Sequence, residues 1–152
     1  MAASLALSAS GEAAWAIGTT YYVSPNGSGV TCTQTDPCAI GNASVGPGSE
    51  LVLLPGDYMM GNTPLSSLNS ADIHGLAGQP RPRIFSTYSF SAWDLGLNNT
   101  NMTFRHIEVY TTGPTGITVN GTGTNIVDDV IISATGVAGN GCAPGTTRSW
   151  PW

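Results

Sequence analysis

The chain contains no lysine. Its positive charge rests on four arginines, Arg81, Arg83, Arg105 and Arg148, against nine aspartates and glutamates, for a net charge of −5. Such a surface has no basic patch with which to neutralise phosphates, which excludes nucleic acid as a partner. Acidic polysaccharides are repelled at long range too, unless cations bridge them. Charged residues make up 9% of the 152 positions, well below the roughly 25% of an average globular chain. Beyond residue 16 there is no run of Ala, Leu, Glu and Lys of the kind that builds long amphipathic helices. No stretch of about 18 apolar residues is present either, so no membrane-spanning helix is expected. Apolar residues themselves are not lacking: at 41% they rule out disorder through want of a core.

What is present is turn chemistry. Twenty glycines, ten prolines and many Asn, Ser and Thr separate short apolar runs, the composition of an all-β chain with many tight corners. Cys32 and Cys38 bracket the turn sequence CTQTDPC, a separation that brings two Cα atoms within disulfide range. The C-x₂₋₄-C spacing and second pair of a metal clip are absent. Cys142 has no partner nearby. Residues 1–16 hold a short apolar stretch, AASLALSA, and an Ala14-Trp15-Ala16 cleavage-like site, but no positive residue precedes them. They read as a degraded signal peptide, and the protein as secreted or surface-bound.

From residue 17 to about 140 the chain alternates strand candidates with turn residues. Thr20–Val23 ends in an Asn26-Gly27 turn, and Leu51–Leu54 is a four-residue apolar run bounded by Pro-Gly pairs. Further candidates lie at Asp72–His74, Arg83–Ser86, Trp93–Leu97, Met102–Tyr110, Gly116–Val119 and Ile126–Ser133. None of the gaps carries a helical pattern, so βαβ units are excluded. A repeat of 22 to 24 residues links Asn101-Met102 to Asn125-Ile126, Ile107 to Ile131, and Leu97-Asn98 to Val119-Asn120. Three short strands per period of this length make one coil of a right-handed parallel β-helix, a solenoid of about four coils. Equivalent residues then stack at the interstrand spacing: Ile107 under Ile131 in the core, Arg105 beneath Asp129, and Asn ladders or plain turns at the corners.

Two segments resemble the opening of right-handed parallel β-helix proteins of the pectin-lyase-like superfamily: Thr20–Gly27 with the Cys32–Cys38 loop, and Leu51–Tyr58. Ile73–Gly78 with Arg81–Ile84 is similar to the next coil of that family, and Asn101–Val109 to its N-V-T-I-R-x-L-x-I coil. The resemblance spans about residues 19–140. It implies fold more firmly than chemistry, since the superfamily holds lyases, hydrolases, epimerases and adhesins. It also implies further coils, with the active site on the middle ones. The 141–152 tail shows no coil pattern, so the chain reads as truncated at its C-terminus.

Candidate catalytic residues follow from the same resemblance. Asp128 and Asp129 match the residue type that polygalacturonase-like members use as acid and base, and that pectate-lyase-like members use to hold Ca²⁺. Adjacent side chains of a strand point to opposite faces, so this pair converges only at a bend. Arg105 is a base or a carboxylate grip in such a site, or else the partner of Asp129 in an ion pair between coils. His106 shares the Arg105 corner. Trp93 and Tyr110 offer rings for a sugar, against core packing of Trp93 with Leu95 and Leu97, which share its parity. No cofactor is expected apart from Ca²⁺, and His74, with no cysteine or carboxylate cluster around it, is not expected to bind metal. The reading is therefore a secreted β-helix that binds or degrades polysaccharide without a complete active site. The alternative is an adhesin-type structural β-helix, and end-to-end self-association is expected where a coil lacks a neighbour.

Overall fold

The computed structural model describes residues 18–61, 70–87, 91–94, 101–112, 115–118 and 123–134. The expectations for the leader at 1–16, for Leu95, Leu97, Asn98 and Asn120, for Cys142 and for the 141–152 tail lie outside the described residues. Nine strands form among the described residues: β1 (Thr20–Val23), β2 (Glu50–Leu53), β3 (Asp57–Gly61), β4 (Asp72–Gly75), β5 (Arg83–Ser86), β6 (Ser91–Asp94), β7 (Thr103–Thr111), β8 (Thr115–Thr118) and β9 (Ile126–Ala134). The helical content among the described residues is one 3₁₀ turn, Ile40–Asn42, and no helix is long and apolar enough to cross a membrane.

All strand pairings are parallel. Seven strands make a sheet curled into a half-barrel, in the order β1-β2-β4-β7-β5-β3 with β9 on β7, while β6 and β8 pair separately. The nine-residue β7 joins the two walls. Its first part, Thr103–Arg105, continues the first wall (β1-β2-β4), and its second part, Glu108–Thr111, continues the second (β3-β5). A parallel pair needs a long return connection, and among the described residues no α-helix forms part of one.

Stacking begins at the same place on each rung of the first wall. The backbone N–H of Glu50 donates to Thr19, that of Asp72 to Ser49, that of Thr103 to Ala71 and that of Ile126 to Met102, at 2.8–3.1 Å. Equivalent side chains therefore align in columns. Tyr21, Leu51, Ile73, Phe104 and Val127 form one column; Tyr58, Ile84, Val109 and Ile132 form another. Leu51, Ile73, Phe104, Tyr58, Ile84 and Val109 are buried and make the centre of the core. The Tyr58 hydroxyl donates to the carbonyls of Val23 and Leu54 at 2.9 and 2.8 Å, and burial pushes its titration far up.

The register corrects three expectations. The step between equivalent residues is not uniform: Glu50 to Asp72 is 22 positions, Asp72 to Thr103 is 31, and Thr103 to Ile126 is 23. Ile107 lies under Val130, and Ile131 lies over Glu108, so the Ile107–Ile131 stack does not form. The step between these two strands is 23 along their whole length, one short of the 24 that identical residues suggested. Each strand also carries a left-handed residue, His106 and Asp129, both with φ of 52°. Such a residue breaks the alternation of faces, so Phe104 and Ile107, three apart, both point inward. Asn101 and Asn125 form no amide ladder with each other. The Asn125 Oδ1 accepts from the Met102 N–H at 2.9 Å, and the Asn101 Oδ1 accepts from the Thr124 N–H at 3.1 Å, so each caps the backbone of the other's rung.

The strand at Leu51–Leu54 is recovered as β2, but β3 was missed. Leu54, Pro55 and Gly56 separate the two, with Gly56 at φ +136°, where a side chain would also meet the ring of Pro25 at 2.7 Å. The core-facing expectation for Trp93 concerns a side chain outside the described part. Its backbone sits on β6 in register with Ile117.

The Cys32–Cys38 disulfide is present, with Cα atoms 4.6 Å apart. It closes a loop against the lower edge of the first wall. The Tyr22 N–H donates to Cys32 at 2.7 Å, and the Cys38 and Ser24 N–H groups bond to Tyr22 and Cys38 in turn. Half of the self-association expectation therefore meets an edge already paired. At the other edge, Ile126 and Val127 of β9 are 48% and 44% exposed.

Three outcomes are expected. Phe104→Ala costs about 3–5 kcal/mol in denaturant unfolding. The Cys32→Ser, Cys38→Ser double variant loses about 2 kcal/mol, as a short closed loop gives. In hydrogen exchange, amides at 126–133, paired on one side among the described residues, exchange faster than those at 104–110, which are paired on both.

Candidate functional site

Two grooves lie on the outer surface. The first sits at the corner between the walls. It has a volume of about 330 Å³ and is lined by His74, Gly75, Ala77, Gly78, Arg105, His106, Asp128 and Asp129. The corner arises because β4 ends at Gly75 while β7 and β9 each turn at a left-handed residue directly above it. A Cβ at position 75 would meet the His106 carbonyl oxygen at 2.5 Å, so only glycine fits beneath that turn.

Four of the sequence-derived candidates, Arg105, His106, Asp128 and Asp129, meet in this groove, together with His74. The bend that an Asp-Asp pair needs is supplied at Asp129. The pairing differs from expectation. Arg105 is in register with Asp128, not Asp129. Its ion pair runs down to Asp72, with Nε at 3.3 Å from one carboxylate oxygen and Nη2 at 2.5 Å from the other. Asp129 is held instead by Arg81 and by the Nδ1 of His106 at 2.7 Å. The one-residue difference follows from the 23-residue step of these rungs.

The surroundings of His74 also differ. Strand stacking puts Glu50 and Asp72 beside it, with donor atoms of all three within 4.8 Å of one another. The signal was the alternation Glu50-x-Val52 and Asp72-x-His74 on strands whose register the sequence did not reveal. These donors are already engaged. Glu50 accepts from the Thr20 hydroxyl at 2.8 Å and contacts the His74 Nε2 at 2.7 Å, and Asp72 faces Arg105. The group is an ion-pair network across three rungs. Two carboxylates and an imidazole also fall short of the six to eight oxygens that Ca²⁺ takes.

Both histidines are fully used. His74 places Nδ1 at 2.8 Å from the Gly75 carbonyl and Nε2 on Glu50. His106 places Nδ1 on Asp129 and Nε2 at 2.9 Å from the Gln79 carbonyl. Each imidazole nitrogen thus faces an acceptor oxygen of the protein itself.

The second groove lies on the outer face of the second wall. It is larger, about 420 Å³, and lined by Met59, Phe85, Ser86, Thr87, Tyr110, Thr111 and Thr112. Met59, Phe85 and Tyr110 occupy the same position on successive rungs. The Phe85 and Tyr110 rings stack face to face, with centroids 4.7 Å apart and planes 7° from parallel. A charged column runs alongside: Arg83 grips Asp57 through two nitrogens at 2.7 and 2.8 Å, and Glu108 accepts from the Tyr110 hydroxyl at 2.6 Å. That hydrogen bond holds the proton on the Tyr110 phenol and raises its titration. Met59 is 77% exposed, so the groove presents an apolar side chain to solvent beside the two rings. Tyr110 was legible as a candidate; Phe85 and Met59 were missed, because only the stacking of rungs lines them up with it.

Comparison with protein-family models, with curated proteins and with solved structures finds no match to this chain.

The corner predicts a response to acid. The His74 hydrogen bond, then that of Thr20 and the charges of His74 and Arg105, hold the Glu50 carboxyl below its usual range. The His106 hydrogen bond, then Arg81, does the same for Asp129. Lowered carboxyls contribute stability that is present above about pH 4 and lost as pH falls through their folded values. The thermal midpoint is thus expected to drop below about pH 4, with a shallower drop in a Glu50→Gln, Asp129→Asn double variant, followed by circular dichroism.

Proposed function

We propose that the half-barrel belongs to a secreted right-handed parallel β-helix of about four coils, related to the pectin-lyase-like proteins, that binds neutral polysaccharide on its second wall without cleaving it. The observation that carries this reading is the apolar groove along Met59, Phe85 and Tyr110. Its size falls in the ordinary range for ligand sites. A sugar ring has a face of C–H bonds and a rim of hydroxyls. Methionine and the threonine methyls receive the first; the edges of the stacked rings, which carry the positive side of the aromatic quadrupole, lie against sugar oxygens. Hydroxyls of Thr87 and Thr112 and the carboxylates of Asp57 and Glu108 stand around the groove. Those carboxylates and the net charge of −5 disfavour uronic acids.

Two features support binding over catalysis. In the corner groove Arg105, His106 and Asp129 are occupied by one another and by neighbouring rungs. The acid–base pair of a glycosidase needs one carboxyl free to donate and another free to accept. The disulfide supports export to an oxidising compartment.

The test is retention on a panel of neutral glucans, mannans and galactans, with polygalacturonate as the acidic member. At least one neutral polymer is expected to retain the protein, and Phe85→Ala and Tyr110→Ala to weaken retention about tenfold each, as loss of an aromatic contact gives. Polygalacturonate is expected to remain uncleaved. Retention unchanged in both variants, or turnover that disappears in Asp128→Asn or Arg105→Ala, would overturn the proposal.

A further inference from the structure

The corner groove contains a histidine whose two contacts cannot both survive loss of a proton. His106 Nδ1 faces the Asp129 carboxylate at 2.7 Å, and Nε2 faces the Gln79 carbonyl at 2.9 Å. Carboxylate and carbonyl oxygens only accept. A neutral imidazole carries one N–H, so both contacts together require the doubly protonated ring. We propose that His106 is a proton-operated latch that holds the 76–81 loop over the corner groove.

The direction follows from which contact is stronger. Asp129 is an anion, gripped by Arg81 as well as His106 and held below the usual carboxylate range. When the ring loses a proton, the remaining N–H stays on Nδ1, where it faces that charge. The Nε2 lone pair then points at the lone pairs of the Gln79 oxygen, and this contact is lost. Other groups facing the ring do not replace it. Asp128 comes from β9, His74 from β4 and Arg105 from β7 itself; Arg81, from the loop, directs Nη2 to Asp129, and its buried Nε has no hydrogen-bond partner and so does not bond the Gln79 carbonyl. Glu50 and Asp72, lower in the corner, are engaged by His74 and Arg105.

The loop is anchored at its end by the Arg81–Asp129 ion pair, and its tip has few other contacts. Ala77, Gly78, Gln79 and Pro80 are exposed, Gly78 takes a left-handed φ of 74°, and a single turn bond links the Gln79 N–H to Leu76 at 3.2 Å. Ala77 and Gly78 are part of the groove wall. Releasing Gln79 therefore loosens one side of the groove. The latch is closed while the ring carries both protons and opens, as pH rises, when it loses one. It is independent of the polysaccharide reading, since it involves the other groove.

The experiment uses the full chain labelled with ¹⁵N. Ring-nitrogen shifts of His106 are followed from about pH 5 to pH 8, alongside hydrogen exchange of Ala77, Gly78 and Gln79 corrected for intrinsic rates. Both ring nitrogens should be protonated at the acid end and Nδ1 alone at the upper end. Loop protection should fall about tenfold over the same interval relative to Leu51–Leu53. His106→Gln should abolish the step, and His74→Gln should keep it, which separates the two histidines of the chain. The proposal is overturned by a ring with one proton at the acid end, or by an exchange step unchanged in His106→Gln. If that variant does not fold, the ring-nitrogen titration of the native chain decides alone.

Discussion

Parallel, in-register pairing of successive rungs is the constraint on which the rest of this structure depends. Each rung presents its residues directly above their counterparts, so every side chain is judged by the column it joins. An apolar residue gains a buried neighbour above and below. A carboxylate gains either a cation or a like charge. The columns of Leu51, Ile73 and Phe104 and of Tyr58, Ile84 and Val109 are the first outcome. The Asp57–Arg83 contact is the second, while Arg105, stacked over His74, reaches Asp72 diagonally.

This explains how a chain with so little charge uses what it has. The ion pairs among the described residues join partners 23 to 48 positions apart, always between rungs or between a rung and the loop beside it. Exposed pairs of this kind contribute little stability each, about 0–1 kcal/mol. Their larger effect is on register, because a slip by one residue would put Glu50 and Asp72 beside apolar positions and strand both carboxylates. The corner does the same through the backbone. His106 and Asp129 adopt the same left-handed conformation one above the other, and a shift in either would separate the two turns.

The two grooves differ for the same reason. At the corner, polar groups from three rungs converge and satisfy one another, so the groove is lined by groups already spent. On the second wall a methionine and two aromatic rings line up with only a charged column beside them, and apolar surface remains open to solvent.

Composition and turn residues alone established an all-β chain, the strands that begin near Asp72, Arg83, Met102 and Ile126, and the Cys32–Cys38 pairing. These are local properties: strand propensity, Gly and Asn turns, and a cysteine separation. Sequence reading also named Arg105, His106, Asp128, Asp129 and Tyr110 as residues of interest. It could not tell which rung each would face, because identical residues 24 apart suggested a stack where the backbone pairs at a step of 23. That single position puts Asp128, not Asp129, over Arg105 and Val130, not Ile131, over Ile107. The carboxylates around His74 and the alignment of Met59 and Phe85 with Tyr110 were decided in the tertiary structure alone, since they come from steps of 22 to 31 residues whose lengths are set by loops. Loops of unequal length leave no period in the sequence, and only backbone pairing between rungs determines which residues they bring together.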